Sequence, residues 1–125
     1  MAAGQNHPLL RDRAAGLSPA ATRLLGKAAI ALSRKEASAA EQAAIGVLAL
    51  APDCVEALRL RGLAEHLRGD HAAAIATFQR ALGVNPDDAL IRMNLGTSQY
   101  DRGEFEPAMS SLRRACKLAA DFAPA

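Results

Sequence analysis

Apolar residues recur every three or four positions along two neighbouring stretches in the middle of the chain, 52–67 and 71–84. In the first stretch the apolar stripe consists of Leu60, Leu63, Ala64 and Leu67. Such spacing places the apolar side chains on one face of an α-helix. The pattern therefore predicts two amphipathic helices joined by a short turn, which together form a helical hairpin.

Residues with strong preferences for helix ends bound both predicted helices. Asp53 stands at the start of the first helix, and Glu56 three positions later completes the pattern of a capping box. Gly69 tolerates the positive φ at which helices often end, and Asp70 is a good cap for the helix that follows. Pro86 closes the second helix, because a proline disfavours the helical conformation in the residue before it.

The turn between the two helices spells Arg-Gly-Asp at residues 68–70, a tripeptide that integrin ligands also carry. In the corresponding turn later in the chain, residues 102–104 spell Arg-Gly-Glu, which keeps the turn chemistry and loses the adhesion motif. We therefore interpret the tripeptide as an inter-helix turn in which glycine ends one helix and aspartate caps the next.

Turn and packing residues recur at a fixed offset of 34 along the chain. The pairs at this offset are Pro52 and Pro86, Gly62 and Gly96, Gly69 and Gly103, Ala74 and Ala108, Phe78 and Leu112, and Ala81 and Ala115. A fixed period of this length is the signature of a repeat architecture. We expect three helical hairpins, at about 21–54, 55–88 and 89–122.

The first hairpin has its own start signal, because Ser18 is a capping residue and Pro19 suits the first position of a helix. We expect a folded region over residues 18–122. A flexible arm over residues 1–17, where no periodicity is visible, precedes it, and a short tail of residues 123–125 follows.

The composition agrees with an all-helical chain. Hydrophobic residues make up 50% of the sequence, but many of them are alanine, and only 3% of the residues are aromatic, with no tryptophan. Good helix formers dominate, whereas the residues that strands favour are sparse. The predicted fold class is all-α, with helices close enough for alanine to fill the space between them.

Charge and targeting signals narrow the possible functions. The net charge is +2 with both signs mixed along the chain, which does not indicate a nucleic-acid partner. Cys54 and Cys116 fit no metal-ligand spacing or redox pair. No apolar run is long enough for a signal peptide or a membrane span. We expect a cytoplasmic protein without a membrane partner, and the excess of arginine over lysine favours a bacterial source.

The repeated residues resemble the tetratricopeptide repeat (TPR) family, whose 34-residue unit has small residues in both helices, a large apolar residue in the second helix and a proline near its end. In the middle unit these positions hold Gly62, Ala74, Phe78, Ala81 and Pro86, and in the third unit Gly96, Ala108, Leu112 and Ala115. In the more degenerate first unit they hold Ala28, Ala40, Ala44, Val47 and Pro52. The resemblance covers about residues 21–122 and implies a right-handed superhelical solenoid whose first helices line a concave groove.

One face of each first helix supplies the candidate groove residues. They are Leu25, Ala29 and Leu32 in the first unit, Arg59, Leu63 and His66 in the second, and Leu90, Met93, Thr97 and Tyr100 in the third. This mostly apolar surface suits an amphipathic helix or an extended apolar peptide. Leucine and methionine at helical spacing also build cores, so the division between core and groove in the second unit stays open.

Together these residues predict a protein–protein interaction module without catalytic activity, cofactor or metal. His66 and His71 lie on different predicted helices, whereas a zinc pair on one helix uses the i, i+4 face, so we interpret them as surface histidines. The serines have no histidine and aspartate partners at a recognisable catalytic spacing, and the turns make no phosphate loop.

Three alternatives stay open beside this prediction. A secretion-type chaperone would hold an unfolded segment in the apolar groove. A self-associating scaffold, in the simplest case a homodimer, would bury the third hairpin against a copy of itself, because no further amphipathic helix follows to cover it. In the third alternative, the chain is the N-terminal adaptor domain of a larger bacterial enzyme.

Overall fold

The computed structural model describes residues 16–121, and within that range the chain consists of helices and turns without a β-strand. The helices are α1 (Pro19–Ser33), α2 (Ala37–Leu50), α3 (Val55–Leu67), α4 (His71–Val84), α5 (Ala89–Asp101) and α6 (Phe105–Asp121). They form three hairpins, α1–α2, α3–α4 and α5–α6, and each hairpin has a three-residue turn. Most of the predicted arm and the whole predicted tail lie outside the described residues, but Leu17 is half-buried and packs against the core.

Side-chain caps start three of the helices, and two of them, Ser18 and Asp70, are the caps that the sequence predicts. Ser18 Oγ accepts a hydrogen bond from the N–H of Ala21 at 3.1 Å, and Asp70 Oδ1 accepts one from the N–H of Ala73 at 3.2 Å. Asp88 caps α5 in the same way. Each cap gives an acceptor to an N–H group that has no partner within its helix.

The start of α3 differs from the prediction of a capping box on Asp53. The N-cap of α3 is Cys54, which makes no side-chain capping bond, so the helix begins one residue later than predicted. The N–H of Cys54 donates to the carbonyl of Ala51 at 3.1 Å, which closes a turn that holds Asp53 outside the helix. The carboxylate of Glu56 then accepts from the guanidinium of Arg59 instead of capping the helix.

The Arg-Gly-Asp tripeptide at residues 68–70 is the turn between α3 and α4, as predicted. Gly69 has a φ of +86°, a left-handed conformation that favours glycine, and Gly103 in the next hairpin has a φ of +90°. The N–H of Asp70 donates to the carbonyl of Glu65 at 2.9 Å, which satisfies a carbonyl in the last turn of α3.

The core is built on close approaches between small and large residues. Phe78 is fully buried, and a Cβ added to Gly62 would lie only 2.4 Å from a carbon of its ring, so α3 and α4 pack closely only because residue 62 is glycine. The main core cluster consists of Ala21, Val47, Leu48, Ala57, Leu58, Ala74, Ile75, Phe78, Ala81, Leu82, Ile91 and Leu95. These residues come from α1 to α5, so one core runs through the successive hairpins.

The order of helix contacts is that of a solenoid. Each hairpin packs against the next through α2 with α3 and α4 with α5. The first helices also meet one another, α1 with α3 and α3 with α5, whereas among the described residues no comparable contact joins α2 to α4 or α4 to α6. Because the first helices are the closer set, they lie on the inner side of the curve that the hairpins form.

Candidate peptide-binding groove

The ten predicted groove residues lie on the first helices of the hairpins, and none of them is fully buried. The exposed ones are Ala29 on α1 and all four positions on α5, namely Leu90, Met93, Thr97 and Tyr100. The half-buried ones are Leu25 and Leu32 on α1 and Arg59, Leu63 and His66 on α3. Exposure along this face therefore increases from the first two hairpins to the third.

The half-buried leucines of this face also contribute to the core. Leu25 and Leu63 pack against the main core cluster, and Leu32 packs against two smaller clusters of buried residues between the first and second hairpins. Each of these side chains therefore has one side in the core and one toward solvent. A polar substitution at Leu63 would disturb packing as well as any ligand contact.

The α5 helix displays large apolar side chains that the core does not use. Leu90, Met93 and Tyr100 have exposed fractions of 45%, 46% and 59%. The hydroxyl of Thr97 donates to the carbonyl of Met93 at 3.0 Å, so this polar side chain is satisfied within the helix. The surface of α5 toward the inner side is thus largely apolar.

An open cleft lies where the beginnings of the three first helices meet, with a volume of about 870 Å³. Leu25 of α1, Val55 and Glu56 of α3, and Leu90 of α5 are among the residues that line it. All three hairpins therefore contribute to a single concave feature. Two of the lining residues, Leu25 and Leu90, belong to the predicted groove.

The charged groups of the groove are paired with each other. The Nε of Arg59 donates to Oε1 of Glu56 at 3.1 Å, and a second bond joins the same two side chains. Glu56 lies at the edge of the cleft, so this ion pair provides a polar boundary beside the apolar surface. A bidentate pair of this kind has a fixed geometry.

The structure brings together His66 and His71, which the sequence led us to interpret as surface histidines. Both are half-buried, and their Nδ1 atoms lie 3.2 Å apart, because the turn at 68–70 brings the start of α4 against the last turn of α3. Nε2 of His66 also lies 3.2 Å from Oδ2 of Asp101, at the end of α5. The sequence signal for the histidine pair was their five-residue spacing across a three-residue turn.

None of the helices in the described part of the chain is long and apolar enough to cross a membrane. The fold is a helical repeat solenoid, and its first helices form an inner face with exposed apolar side chains. Such an architecture is that of a scaffold for protein–protein interaction.

The sequence pattern of the tetratricopeptide repeat family matches this chain twice, over residues 37–83 and 68–122. The chain belongs to the tetratricopeptide repeat family. The predicted fold class, an all-α right-handed superhelical solenoid of three helix-turn-helix repeats, is confirmed. Members of this family generally serve as non-catalytic interaction scaffolds.

Similar proteins differ widely in size and organism. The Protein CTR9 homolog of Arabidopsis thaliana is 33% identical over 98 residues, a match that covers 78% of this chain and 9% of that protein. The Sgt2 TPR domain from Aspergillus fumigatus has a TM-score of 0.81 at 22% identity, over 90% of this chain and 74% of that domain. An O-GlcNAc transferase mutant from Thermobaculum terrenum has a TM-score of 0.77 at 33% identity, over 82% of this chain and 20% of that enzyme. The chain thus spans less than a tenth of the curated relative, and the likeness to Sgt2 is one of fold alone.

Proposed function

We propose that this chain binds a peptide or an amphipathic helix of another protein along the groove formed by α1, α3 and α5. The observation that carries the proposal is the set of exposed apolar side chains on α5, Leu90, Met93 and Tyr100. These side chains lie on the helix face that continues the half-buried leucines of α1 and α3, so a ligand would extend an existing apolar surface. Exposed apolar patches of this kind mark binding surfaces.

The chemistry of the groove favours an apolar ligand face with polar edges. Tyr100 and Arg59 are residue types that often dominate binding energies, and Met93 has a flexible side chain that adapts to different partners. The Glu56–Arg59 pair stands at one edge and the cleft at the start of the first helices accepts a large side chain. An amphipathic helix meets these requirements with apolar residues at i, i+3, i+4 and i+7.

The experiment is to select binders from a displayed library of amphipathic and extended apolar peptides and to measure their Kd by fluorescence anisotropy. Met93→Glu places a charge in the middle of the proposed interface without touching the core, since Met93 is 46% exposed. We expect it to weaken binding at least about tenfold, because the buried carboxylate would lose its hydration without gaining a partner.

The matched control is Ile45→Glu on α2, outside the proposed groove. Ile45 is 42% exposed, so the same substitution changes the charge of the chain equally at a comparable exposure. We expect Ile45→Glu to leave the Kd unchanged and both variants to keep the wild-type melting temperature. Equal losses from the two substitutions would mean that the groove is not the binding surface.

Self-association is a second candidate function, and the exposed apolar residues of the third hairpin favour it. Phe105 and Met109 are 56% and 50% exposed, and Leu112 on the same helix is half-buried. A homodimer through α6 would cover these side chains. Light scattering over a concentration series tests it, because a dimer that Met109→Glu dissolves would support this interface, whereas a monomer at all concentrations would exclude it.

The adaptor interpretation has support of a different kind. The O-GlcNAc transferase of T. terrenum has a segment similar to this chain over 20% of its length, so a repeat array of this type can be part of an enzyme. We propose that in such a setting the groove would select the protein substrate. A secretion-type chaperone would use the same groove. A cytoplasmic location remains part of the proposal and is supported by two free cysteines, Cys54 and Cys116.

A further inference from the structure

Three side chains that bind transition metals meet at the rim of the groove, between the second and third hairpins. His66 comes from the last turn of α3, His71 is the first residue of α4, and Asp101 is the last residue of α5. One donor atom from each lies within 4.8 Å of the donors of the other two. Three helix ends therefore bring two imidazoles and a carboxylate together.

His66 faces the other two side chains through different ring nitrogens. The Nδ1 atoms of His66 and His71 are 3.2 Å apart, and Nε2 of His66 is 3.2 Å from Oδ2 of Asp101. Ligands about 2.0–2.1 Å from a tetrahedral zinc ion are themselves separated by about 3.3 Å. Because an imidazole binds an ion through one nitrogen, the three donor atoms, which lie up to 4.8 Å apart, must close to about 3.3 Å by side-chain rotation, with water at the remaining position.

The ring orientation of His66 is supported on both sides. Ser98 Oγ lies 3.0 Å from Nδ1 of His66, and the carboxylate of Asp101 faces Nε2. If Nε2 coordinates the ion together with Asp101, Nδ1 keeps Ser98 as its hydrogen-bond partner. Such partners fix the tautomer of a metal-binding histidine and raise its basicity.

The neighbouring cations are engaged with other carboxylates. Arg68 pairs with Glu41 and lies 3.7 Å from a carboxylate oxygen of Asp70, and Arg102 pairs with Glu104 at 2.8 Å. These contacts hold both guanidinium groups in ion pairs on either side of the cluster. A divalent cation would therefore meet the carboxylate of the cluster without displacing an arginine.

The equivalent positions of the third hairpin hold a packing pair instead. Tyr100 and Phe105, each 34 residues after one of the histidines, form an edge-to-face contact with ring centroids 5.1 Å apart. The histidine rings have a similar centroid distance of 4.7 Å. The second hairpin thus has a ring pair of similar geometry, but both of its rings are imidazoles, which can bind a metal. The carboxylate of Asp101, from the next repeat, lies beside them.

We propose that His66, His71 and Asp101 form a site for a divalent transition metal ion, of which Zn²⁺ is the natural probe. Two imidazoles and one carboxylate are a ligand set that suits zinc, and also copper, nickel and iron(II). The ion would join the end of α5 to the turn between α3 and α4, and so fix the second hairpin against the third. This site departs from the expectation of a chain without a metal and does not depend on the peptide groove.

The experiment is a titration of the tag-free chain with Zn²⁺ alone, followed by calorimetry and by the imidazole proton resonances in NMR spectra. We expect one ion per chain with a Kd of about 10 µM or below, and shifts of the His66 and His71 resonances. His71→Gln should weaken binding at least about tenfold. Asp101→Asn, an isosteric change at an exposed side chain, should also weaken it and guards against loss of the fold.

The controls are the remaining histidine, His7, and the exposed cysteine, Cys116. His7→Gln and Cys116→Ser should leave the affinity and the stoichiometry unchanged, and circular dichroism should show the same helicity in all variants. Zinc binding that survives His71→Gln, or that either control substitution removes, would overturn the proposal. So would the absence of binding at 100 µM Zn²⁺, or a titration that moves neither the His66 nor the His71 resonance.

Discussion

The second and third hairpins have the same internal contacts but different surroundings. Gly62 faces Phe78 in the second hairpin, and Gly96 faces Leu112 in the third, where an added Cβ would lie 2.4 and 2.8 Å from the larger side chain. Phe78 is fully buried, whereas Leu112 is half-buried. The difference arises because α4 packs against both α3 and α5, whereas α6 packs extensively against α5 alone among the described helices. The repeat position determines which residues touch, and the number of neighbouring hairpins determines how deeply they are buried.

A buried hydrogen bond between the two helices repeats in the same way. Thr77 Oγ1 donates to Oε1 of Glu65 at 2.6 Å in the second hairpin, and Ser111 Oγ donates to Oε1 of Gln99 at 2.8 Å in the third. All four residues are buried. The two hairpins use different residues for this bond. In both, however, the donor lies on the second helix and the acceptor on the first, so the interaction repeats although the residues do not.

The largest expected effect is at the aromatic residue of the second hairpin. Phe78→Ala should lower the free energy of unfolding by about 3–5 kcal/mol, because it removes a fully buried ring and leaves a cavity beside Gly62. Leu112→Ala, the matched change in the third hairpin, should cost about half as much because that side chain is only half-buried. Urea unfolding followed by circular dichroism measures both. Equal costs would mean that repeat position alone determines the energy.

Alanine substitutions at the two interhelical glycines should also cost more stability in the second hairpin than in the third. Gly62→Ala forces a methyl group against the buried ring of Phe78 and should destabilise the protein by about 1–3 kcal/mol, even though alanine favours the helix. In Gly96→Ala the closest atoms belong to the Leu112 side chain, which is partly in solvent and can move away. We expect the second substitution to cost less than the first. A smaller loss of melting temperature for Gly62→Ala would contradict this account of the core.

The buried polar pair tests whether the hairpins are interchangeable at this position. Glu65→Ala should cost about 1–2 kcal/mol, because the Thr77 hydroxyl loses its buried acceptor. Glu65→Gln introduces the residue that the third hairpin has and keeps that acceptor. It replaces the carboxylate oxygen that lies 3.3 Å from Nε of Arg61 with an amide group, and because the Glu65 side chain is only 4% exposed we expect a measurable cost that stays below that of alanine. Chemical denaturation of the two variants measures both costs. If glutamine cost as much as alanine, the two hairpins would not be interchangeable at this position.

The sequence predicted the hairpins well because their signals are local. Gly69 and Asp70 specify a turn from their own backbone and capping preferences, and the 34-residue period gives the number of hairpins. The start of α3 was wrong by one residue, because the turn closed by the N–H of Cys54 competes with the capping box that Asp53 suggested. Two local signals overlapped there, and only the folded chain shows which one prevails.

The candidate sites were less predictable because they depend on several hairpins at once. The burial of Leu63 is set by the core that neighbouring helices build around it, so its helical spacing alone cannot assign it to core or groove. The approach of Asp101 to His66 joins residues of two different repeats. A search for ligands on one helix misses that pair. The two side chains meet only because the second and third hairpins pack against each other.

The smallest expected effect concerns the two ring pairs beside the turns, and a double-mutant cycle isolates it. The cycle of Tyr100→Ala and Phe105→Ala should give a coupling of about 0.5–1 kcal/mol, at the lower end for aromatic pairs because both rings are largely exposed. The cycle of His66→Ala and His71→Ala should give a similar or smaller coupling in the presence of a chelator, and a larger one in Zn²⁺, since the ion binds only when both rings are present. Unfolding curves of the seven chains, the wild type and six variants, under the two conditions provide the comparison. A histidine coupling that exceeds the aromatic one without metal, and does not change with it, would make the histidines a packing pair like the one in the third hairpin.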